Sequence, residues 1–269
     1  YRDWDAPKVI NTARLMEILS CVRYKNRLWI DLVSGDFGHS NTLPINPWVL
    51  GALLGDGTLA LSHSSVMFST KSPELIERMN ALAGYEMELV HANAYDWRLV
   101  SKARIAANGQ RRSVPTNHFR SALRDLGVLG CRSFDKHIPA TYLEANKASR
   151  LALFQGLMDT DGWIEKWGSI RFCTASKQLS EDVASLARSL GGFCSVAQKQ
   201  SSYTYKGEKK SGRLAYILNM SFGPDFEAFT LPEKRERLKA SWTRQRRLSF
   251  RSIEPARFAE AQCISVSHP

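Results

Sequence analysis

A glycine-rich helical motif that ends in Asp-Gly occurs twice in this chain of 269 residues. The two copies are "VLGALLGDG" at 49–57 and "FQGLMDTDG" at 154–162. Glycine inside a helix costs about 1 kcal/mol relative to alanine, so local stability does not explain Gly51 and Gly55, four residues apart on one face. Small residues at this spacing let two helix backbones approach closely, and we predict that these glycines pack against Gly156 and Thr160 of the second copy.

The segments that follow the two motifs repeat the same order of elements. After each Asp-Gly come two short strand-like runs, a helix with a serine N-cap, two more strands and a further helix. The residues that align between the copies are Phe68, Thr70, Ser72 and Leu75 with Phe172, Thr174, Ser176 and Leu179. This internal duplication predicts an α+β fold of two αββαββα halves with pseudo-two-fold symmetry.

The duplication also sets the expected domain boundaries. We expect an N-terminal extension and linker at 1–45, a first half at 46–150, a second half at 151–240, and a basic linker with a C-terminal segment at 241–269. A helix is predicted within the extension, at 11–25. Because the first residue is not Met, we expect a processed or excised piece of a longer chain.

The charge balance indicates a polyanionic partner. The formal net charge is +11 and the sequence pI is about 9.6, with clusters at Arg111-Arg112, Lys209-Lys210 and 244–247. Such clusters are typical of proteins that bind nucleic acid. The alternative is a basic surface that contacts only solvent.

Cysteine spacing and hydropathy exclude several other classes. The five cysteines are scattered without metal-binding spacing, so neither a zinc site nor a disulfide framework is expected. The sequence has no apolar run of about 18 residues, and its charged start does not resemble a signal peptide. We therefore expect an intracellular protein with no membrane partner.

Asp56 and Asp161 end the two motif helices and become neighbours if those helices pack as predicted. Two carboxylates about 4 Å apart repel by about 4 kcal/mol at an effective dielectric constant near 20. A divalent cation or a shared proton relieves that repulsion, and hard oxygen ligands favour Mg²⁺. Such a site suits metal-assisted hydrolysis of a phosphodiester. The alternative is that each Asp-Gly is only a turn after a helix.

In this setting the two motifs resemble those of the LAGLIDADG homing endonucleases, in their single-chain, intein-encoded branch. The resemblance covers about 44–240, and Gly55 stands where the family consensus has alanine. It implies two four-stranded antiparallel sheets that form a saddle over double-stranded DNA. It also implies that Asp56 and Asp161 are the metal-binding catalytic pair, with Mg²⁺ or another divalent cation such as Mn²⁺. We expect a monomer that makes site-specific double-strand cuts in a long target, in the cytoplasm or nucleoid of a bacterial or phage-infected cell.

Two lysines are assigned catalytic roles by the same resemblance. The segment "FDKHIP" at 134–139 resembles a block of intein endonucleases whose lysine supports catalysis, which here is Lys136. The corresponding part of the second half, "LPEKRERL" at 231–238, offers Lys234. A cation beside the scissile phosphate stabilises developing charge or helps to position water. The alternative for each lysine is an exposed surface charge.

Outward-facing strand residues and two basic loops, at 101–113 and 199–212, are the candidate DNA contacts. Polar side chains on a β-ribbon read bases in the major groove, while loop lysines and arginines contact phosphates. The candidates are Arg98, Lys102, Arg104, Arg111, Arg112, Ser169, Arg171, Lys199, Lys209, Lys210, Arg213 and Asn219.

Two other functions stay open. One is a non-cleaving DNA-binding protein or an RNA maturase of the same fold. The other is protein splicing, because "RSIEPARFAEAQCISV" at 251–266 resembles the start of the C-terminal splicing region of an intein. The chain lacks an N-terminal nucleophile block and a terminal His-Asn pair, so we do not expect it to splice alone.

Overall fold

The computed structural model describes residues 9–25, 27–30, 32, 34–37, 42–61, 65–84, 87–102, 118–239 and 247–260. The helices in these ranges are α1 Thr12–Ser20, α2 Val22–Lys25, α3 Pro47–Asp56, α4 Pro73–Leu82, α5 His118–Asp125, α6 Ala140–Leu143, α7 Lys147–Asp161, α8 Lys177–Ser189 and α9 Pro232–Lys239. The strands are β1 Trp29–Ile30, β2 Gly57–Thr58, β3 Val66–Ser69, β4 Met87–Asn93, β5 Asp96–Ser101, β6 Gly162–Ile164, β7 Ile170–Thr174, β8 Phe193–Tyr205, β9 Glu208–Ser221 and β10 Leu248–Ser249. No described helix is both long enough and apolar enough to cross a bilayer.

The chain divides into two compact units, and both ends of the chain enter the smaller one. This unit comprises 1–31 and 247–269, and the larger unit comprises 32–246. In the smaller unit, β1 and β10 pair antiparallel, and the Arg247 guanidinium lies 4.3 Å from the centre of the Trp29 ring. The helix predicted at 11–25 forms as α1 and α2, which are separated at Cys21.

The larger unit contains the predicted duplication. Its first half runs α3, β2, β3, α4, β4, β5, α5, and its second half runs α7, β6, β7, α8, β8, β9, α9. The antiparallel sheets have the matching strand orders β2-β3-β5-β4 and β6-β7-β9-β8. The α+β duplicated fold expected from the sequence is therefore confirmed.

The equivalent helices α4 and α8 begin in the same way. The side chain of Ser72 accepts a hydrogen bond from Leu75 N at 3.3 Å, and that of Ser176 accepts one from Leu179 N at 3.1 Å. These serines satisfy backbone N–H groups that the first turn of a helix leaves unpaired. The repeated N-cap gives the backbone the same path into α4 and into α8.

The helices α3 and α7 form the centre of the larger unit, and their backbones are in contact. A Cβ built on Gly51 would lie 2.2 Å from Leu153 O, and one built on Gly156 would lie 2.1 Å from Trp48 O. Any side chain at either position would force the helices apart. The residues at 48–54 are all buried, which is typical of a helix surrounded by other elements.

Two buried polar side chains, one on α6 and one on α7, attach the segment before α3 to these helices. Tyr142 Oη donates to Ile45 O at 2.7 Å and accepts from Ile45 N at 3.1 Å. The fully buried Arg150 guanidinium donates to Ala145 O and to Gly35 O. Buried charges need such partners, so these bonds hold the linker against the helices.

The two halves differ most in their second strand pairs. The strands β8 and β9 have 13 and 14 residues, whereas β4 and β5 have 7 and 6. The basic loop expected at 199–212 is therefore wrong, because most of this segment continues β8 and β9 and only Lys206 and Gly207 form the turn. Their φ angles of 50° and 83° are those of a two-residue hairpin turn. The alternating tyrosines at 203 and 205 favour extended structure.

Candidate active site

The last residues of α3 and α7 are Asp56 and Asp161, and both carboxylates belong to one cluster of charges. A Cβ on Gly55 would lie 3.5 Å from Asp161 Oδ2, which places this carboxylate against the end of the neighbouring helix. A strand begins directly after each helix, at Gly57 and at Gly162. A Cβ on either glycine would lie 2.5 Å or less from a carbonyl oxygen of the preceding helical turn, so these turns require glycine.

The two carboxyl groups are harder to ionise than exposed ones. Burial first, and the negative charge of Asp56 second, raise the pKa of Asp161 to about 6, against the opposing effect of Lys136 and Lys234. Burial also raises the pKa of Asp56, and the same lysines oppose it. Within the described residues, no N–H or O–H group donates to either carboxylate. Their oxygens are therefore free to bind a cation.

Lys136 is buried, and its ammonium group lies at the C-terminal end of α3. Nζ donates to the carbonyl oxygens of Leu53 at 3.3 Å, Gly55 at 2.7 Å and Gly57 at 2.9 Å. Carbonyls in the last turn of a helix need partners from outside the helix, and a cation is favoured at this negative end of the helix dipole. Lys136 is 7 % exposed, so the alternative of an exposed loop charge is wrong for this residue.

Lys234 makes the same arrangement at the end of α7. Nζ donates to the carbonyl oxygens of Met158 at 2.9 Å, Asp159 at 2.7 Å and Gly162 at 2.7 Å. An ammonium group has three N–H donors, and each lysine therefore has one donor for each of its three backbone carbonyl partners. Burial lowers the pKa of both lysines, and the nearby aspartates oppose this. We therefore assign the lysines as fixed cations rather than as proton acceptors.

The donors at this site fit a hydrated, hard divalent cation. Among the described residues no group of three or more His, Cys, Asp or Glu side chains could hold a metal, so the side chains available to a cation here are the two carboxylates. Mg²⁺ is usually bound by one or two carboxylates and keeps several water molecules, whereas structural zinc takes four nitrogen or sulfur ligands. The residues present are therefore compatible with Mg²⁺ or Mn²⁺.

Each sheet presents an equivalent row of side chains on the face opposite the core. In the first sheet the row is Thr58, Met67, Arg98 and Val90, across β2, β3, β5 and β4. In the second sheet it is Trp163, Arg171, Asn219 and Ser195, across β6, β7, β9 and β8. The predicted DNA contacts Arg98 and Asn219 thus occupy the same position in the two halves.

The other predicted DNA contacts fall into four groups. The exposed lysines are Lys102, Lys199, Lys209 and Lys210. Ser169 and Arg171 are half-buried, and Arg171 Nε lies 3.9 Å from Glu165 Oε1. Arg213 lies with its guanidinium 3.9 Å from the centre of the Phe134 ring, so this cation already has a protein partner. Arg104, Arg111 and Arg112 lie outside the described residues.

Three residues that hold the lysines in place were not predicted from the sequence. They are Asp159, Ser176 in its contact with the Lys136 segment, and Asp182. A signal existed for Asp159, because the first motif has Leu54 at the equivalent position. No comparable signal existed for Asp182, which lies on a helix distant in sequence from Lys136.

Fold and site together define a class of protein, namely duplicated αββαββα chains with an acidic pair at the ends of two crossing helices. Residues 148–229 match the sequence model of the LAGLIDADG-like domain. The second half is therefore a LAGLIDADG-like domain, and the first half repeats its topology. The resemblance predicted from the second motif is therefore confirmed for this part of the chain.

Several known proteins are similar to this chain. A replicative DNA helicase DnaB from Mycobacterium intracellulare is 28% identical over 97% of this chain and 39% of its own length. One from Rhodothermus marinus is 30% identical, over 74% of this chain and 20% of its own length. An iron-sulfur cluster assembly SufBD family protein, ML0593 of Mycobacterium leprae, is 32% identical over 54% of this chain and 15% of its length. The chain thus spans less than half the length of each of these relatives.

Solved structures of the homing endonuclease I-DmoI are also similar. Mesophilic variants match with 15% identity and a TM-score of 0.41, over 74% of this chain and 97% of theirs. A complex of I-DmoI with DNA and Mn matches with 18% identity and a TM-score of 0.41, over 67% of this chain and 91% of that one.

Proposed function

We propose that this chain is a site-specific DNA endonuclease that hydrolyses both strands of a long double-stranded target with the help of a divalent cation. The observation that carries the proposal is the cluster of Asp56 and Asp161 with Lys136 and Lys234 at the ends of two crossing helices. Each half supplies one carboxylate and one lysine. Two equivalent sets of groups in one chain suit the cutting of two DNA strands by a monomer.

The residues of the site have distinct tasks in this proposal. A bound Mg²⁺ or Mn²⁺ supplies Lewis-acid stabilisation of the phosphate and a more acidic water. Asp56 and Asp161 hold the cation. Lys136 and Lys234 donate to the backbone carbonyls at the ends of α3 and α7, and their positive charge balances the negative charge of the aspartates. Strong basic character of the chain favours approach of the polyanion.

The relatives support the interpretation that this chain is encoded by a segment inserted into different host genes. Their names describe a replicative helicase and an iron-sulfur cluster assembly protein, which differ in activity, yet each matches this chain over a minor part of its length. A segment shared in this way is independent of either activity. We therefore propose that the chain is an endonuclease inserted in host coding sequences, as in the intein-encoded branch, and that its target is a host gene without the insertion.

Cleavage of uninterrupted host genes tests the proposal. The helicase coding sequences are cloned into plasmids after removal of the segment that matches this chain. These plasmids and a randomised-site library are incubated with the purified chain and Mg²⁺ or Mn²⁺. We expect one linear product from an uninterrupted gene or one enriched long site, no cutting of the interrupted gene, and no cutting with chelator. Failure to cut every gene and the library would overturn the proposal, and binding of intron RNA without DNA cleavage would favour a maturase.

The β8–β9 hairpin is expected to add phosphate contacts. Replacing Lys209 and Lys210, which are exposed near its turn, with glutamine should weaken DNA binding for all sequences and lower the slope of log K against log salt by about 1 per lost contact. The matched control is Lys147→Gln with Lys177→Gln, which removes two exposed helical lysines. Equal salt slopes for the two double variants, measured by fluorescence anisotropy, would contradict a role of the hairpin.

Cation binding is expected to depend on pH through Asp161. Because the pKa of this carboxyl is raised to about 6, it takes up a proton as the pH falls through 6, and the proton competes with the cation. We expect the Mn²⁺ affinity measured by calorimetry to fall about tenfold per pH unit below 6 and to be nearly constant from pH 7 to 8. The same affinity at pH 5 and pH 7.5 would show that Asp161 is not a ligand.

A further inference from the structure

The two motif helices differ at one buried position close to their catalytic ends. Two residues before Asp56, α3 has Leu54, which is 1 % exposed. Two residues before Asp161, α7 has Asp159, which is 2 % exposed. Burying a carboxylate is strongly unfavourable unless donors surround it, so Asp159 must have partners that Leu54 does not need.

The carboxylate of Asp159 accepts hydrogen bonds from two separate elements. Oδ1 accepts from Thr230 N at 2.8 Å and from Leu231 N at 3.3 Å. Oδ2 accepts from Trp48 Nε1 on α3 at 2.9 Å and from the Thr230 hydroxyl. Asp159 thus attaches the segment that precedes α9 to the contact between α3 and α7.

That segment carries Lys234 into the site. Thr230 and Leu231 come directly before α9, which begins at Pro232, and Lys234 is the third residue of the helix. Lys234 Nζ also donates to Asp159 O at 2.7 Å. Asp159 therefore fixes the lysine through both its side chain and its carbonyl group.

Lys136 is held by a different acid. Ser176 Oγ donates to Lys136 O at 2.6 Å, and Asp182 Oδ2 accepts from Ile138 N at 2.8 Å. Ser176 is the N-cap of α8 and Asp182 lies within that helix. The lysine of the first half thus rests on a helix of the second half, with no bond to Asp159.

We propose that Asp159 and Asp182 are positioning residues that hold Lys234 and Lys136 independently, so that loss of either acid slows the cleavage of one DNA strand more than that of the other. This inference rests on the proposed endonuclease function for its consequence in catalysis. Its structural part, two separate supports for the two lysines, does not depend on DNA. The two parts are therefore tested by separate measurements.

Hydrogen exchange tests the separate supports without DNA. In Asp159→Asn, one amide nitrogen replaces an oxygen that accepts hydrogen bonds, so we expect faster exchange over 228–239 and unchanged exchange over 132–138. In Asp182→Asn we expect the reverse. Mass spectrometry of peptides from the full chain measures both segments in one sample. Equal acceleration of both segments in either variant, or none, would overturn independent support.

Strand-specific cleavage tests the catalytic consequence. With a target that the wild-type chain cuts, end-labelled on each strand, we expect Asp159→Asn to accumulate nicked DNA with at least a tenfold difference between the two strands. Asp182→Asn should accumulate nicks in the opposite strand. Equal slowing of both strands would overturn the inference. If the wild-type chain cuts no target, the proposed function fails, while the exchange result still decides the structural part.

Two further variants test the same inference if the aspartate substitutions prevent folding. Thr230→Val removes one donor to Asp159 and keeps the backbone bonds, so it should shift the strand ratio in the same direction as Asp159→Asn, by less. Trp48→Phe removes the indole donor from α3 and leaves the α9 side intact, so the strand ratio should stay near that of the wild type. A shifted ratio in Trp48→Phe with none in Thr230→Val would overturn the assignment. Circular dichroism confirms that each variant is folded.

Discussion

Asp161→Asn is expected to lower the rate of double-strand cleavage about 1000-fold while it raises the melting temperature of the cation-free protein at pH 7.5. Loss of a ligand to the cation removes several kcal/mol of transition-state stabilisation, and about 4 kcal/mol corresponds to this factor. DNA binding should be unchanged or tighter, since a negative charge is removed near phosphate. We measure cleavage with a target selected by the wild-type chain and melting by calorimetry.

The sign of the stability effect follows from the pKa of Asp161. Its folded-state pKa of about 6 is above the ordinary value of 3.8, so the folded protein binds this proton more tightly than the unfolded chain. Stability contributed by this group is therefore present at low pH and is lost as the pH rises through 6. Asparagine carries no charge, so the gain in melting temperature should be largest at pH 7.5, shrink as the pH falls from 6 towards 3.8, and vanish only below 3.8.

A matched control separates the site from a general loss of charge. Asp225 is an exposed acid in the segment after β9, and Asp225→Asn should change neither melting nor cleavage. If Asp161→Asn lowers the melting temperature at pH 7.5, the carboxylate stabilises the fold, and the inference that burial disfavours its ionised form is wrong. Asp56→Asn should also lower double-strand cleavage strongly, because Asp56 is the second carboxylate proposed to hold the cation.

Gly156→Ala should destabilise the protein by at least about 3 kcal/mol, although alanine is the better helix former by about 1 kcal/mol. The added Cβ would lie 2.1 Å from Trp48 O and 2.8 Å from Ala52 N, and both atoms belong to the backbone of α3. The two helices would have to separate, which would open the core and move the acidic pair. Chemical denaturation of the full chain measures the loss.

Two further variants show whether this loss comes from backbone contact. A Cβ on Gly55 would lie 2.1 Å from Thr160 Oγ1, which belongs to a side chain. Gly55→Ala should therefore be destabilising alone and recover part of the loss when combined with Thr160→Ala, which removes Oγ1 but keeps the Thr160 Cβ that would lie 2.9 Å away. No single side-chain truncation relieves Gly156→Ala. Gly223→Ala, which meets no atom within 4 Å, is the control and should be nearly neutral. A stable Gly156→Ala would contradict the observed helix contact.

Much of the duplicated fold was predictable because its signals are local. A helix start such as Ser72 followed by Pro73 depends on a few neighbouring residues, and so does its equivalent at Ser176. Strand alternation and the Asp-Gly turns are equally local. The extended β8–β9 hairpin was missed because its charged and glycine-containing sequence suggested a loop, while pairing between its two strands decided the conformation.

The candidate site was predictable in its composition and less so in its chemistry. The two motifs identified Asp56 and Asp161, since both end helices with small residues at the same spacing. The lysines were found by resemblance, but their bonds to the carbonyl ends of α3 and α7 were not. Partners such as Ser176 for the Lys136 segment lie far apart in sequence, and no pattern in one chain reports such a contact.

The sequence by itself determined the duplication, the pairing of small residues on two helices and the identity of the acidic pair, because helix periodicity and glycine spacing are properties of short segments. Only the tertiary structure decided that the lysines donate to the carbonyl ends of α3 and α7 and that Asp159 and Asp182 accept hydrogen bonds from the two segments that carry them. It also brought both ends of the chain into one unit through β1 and β10. These features depend on burial and on contacts between distant segments, which fix the pKa of a carboxyl group and the partners of an ammonium group only once the chain has folded.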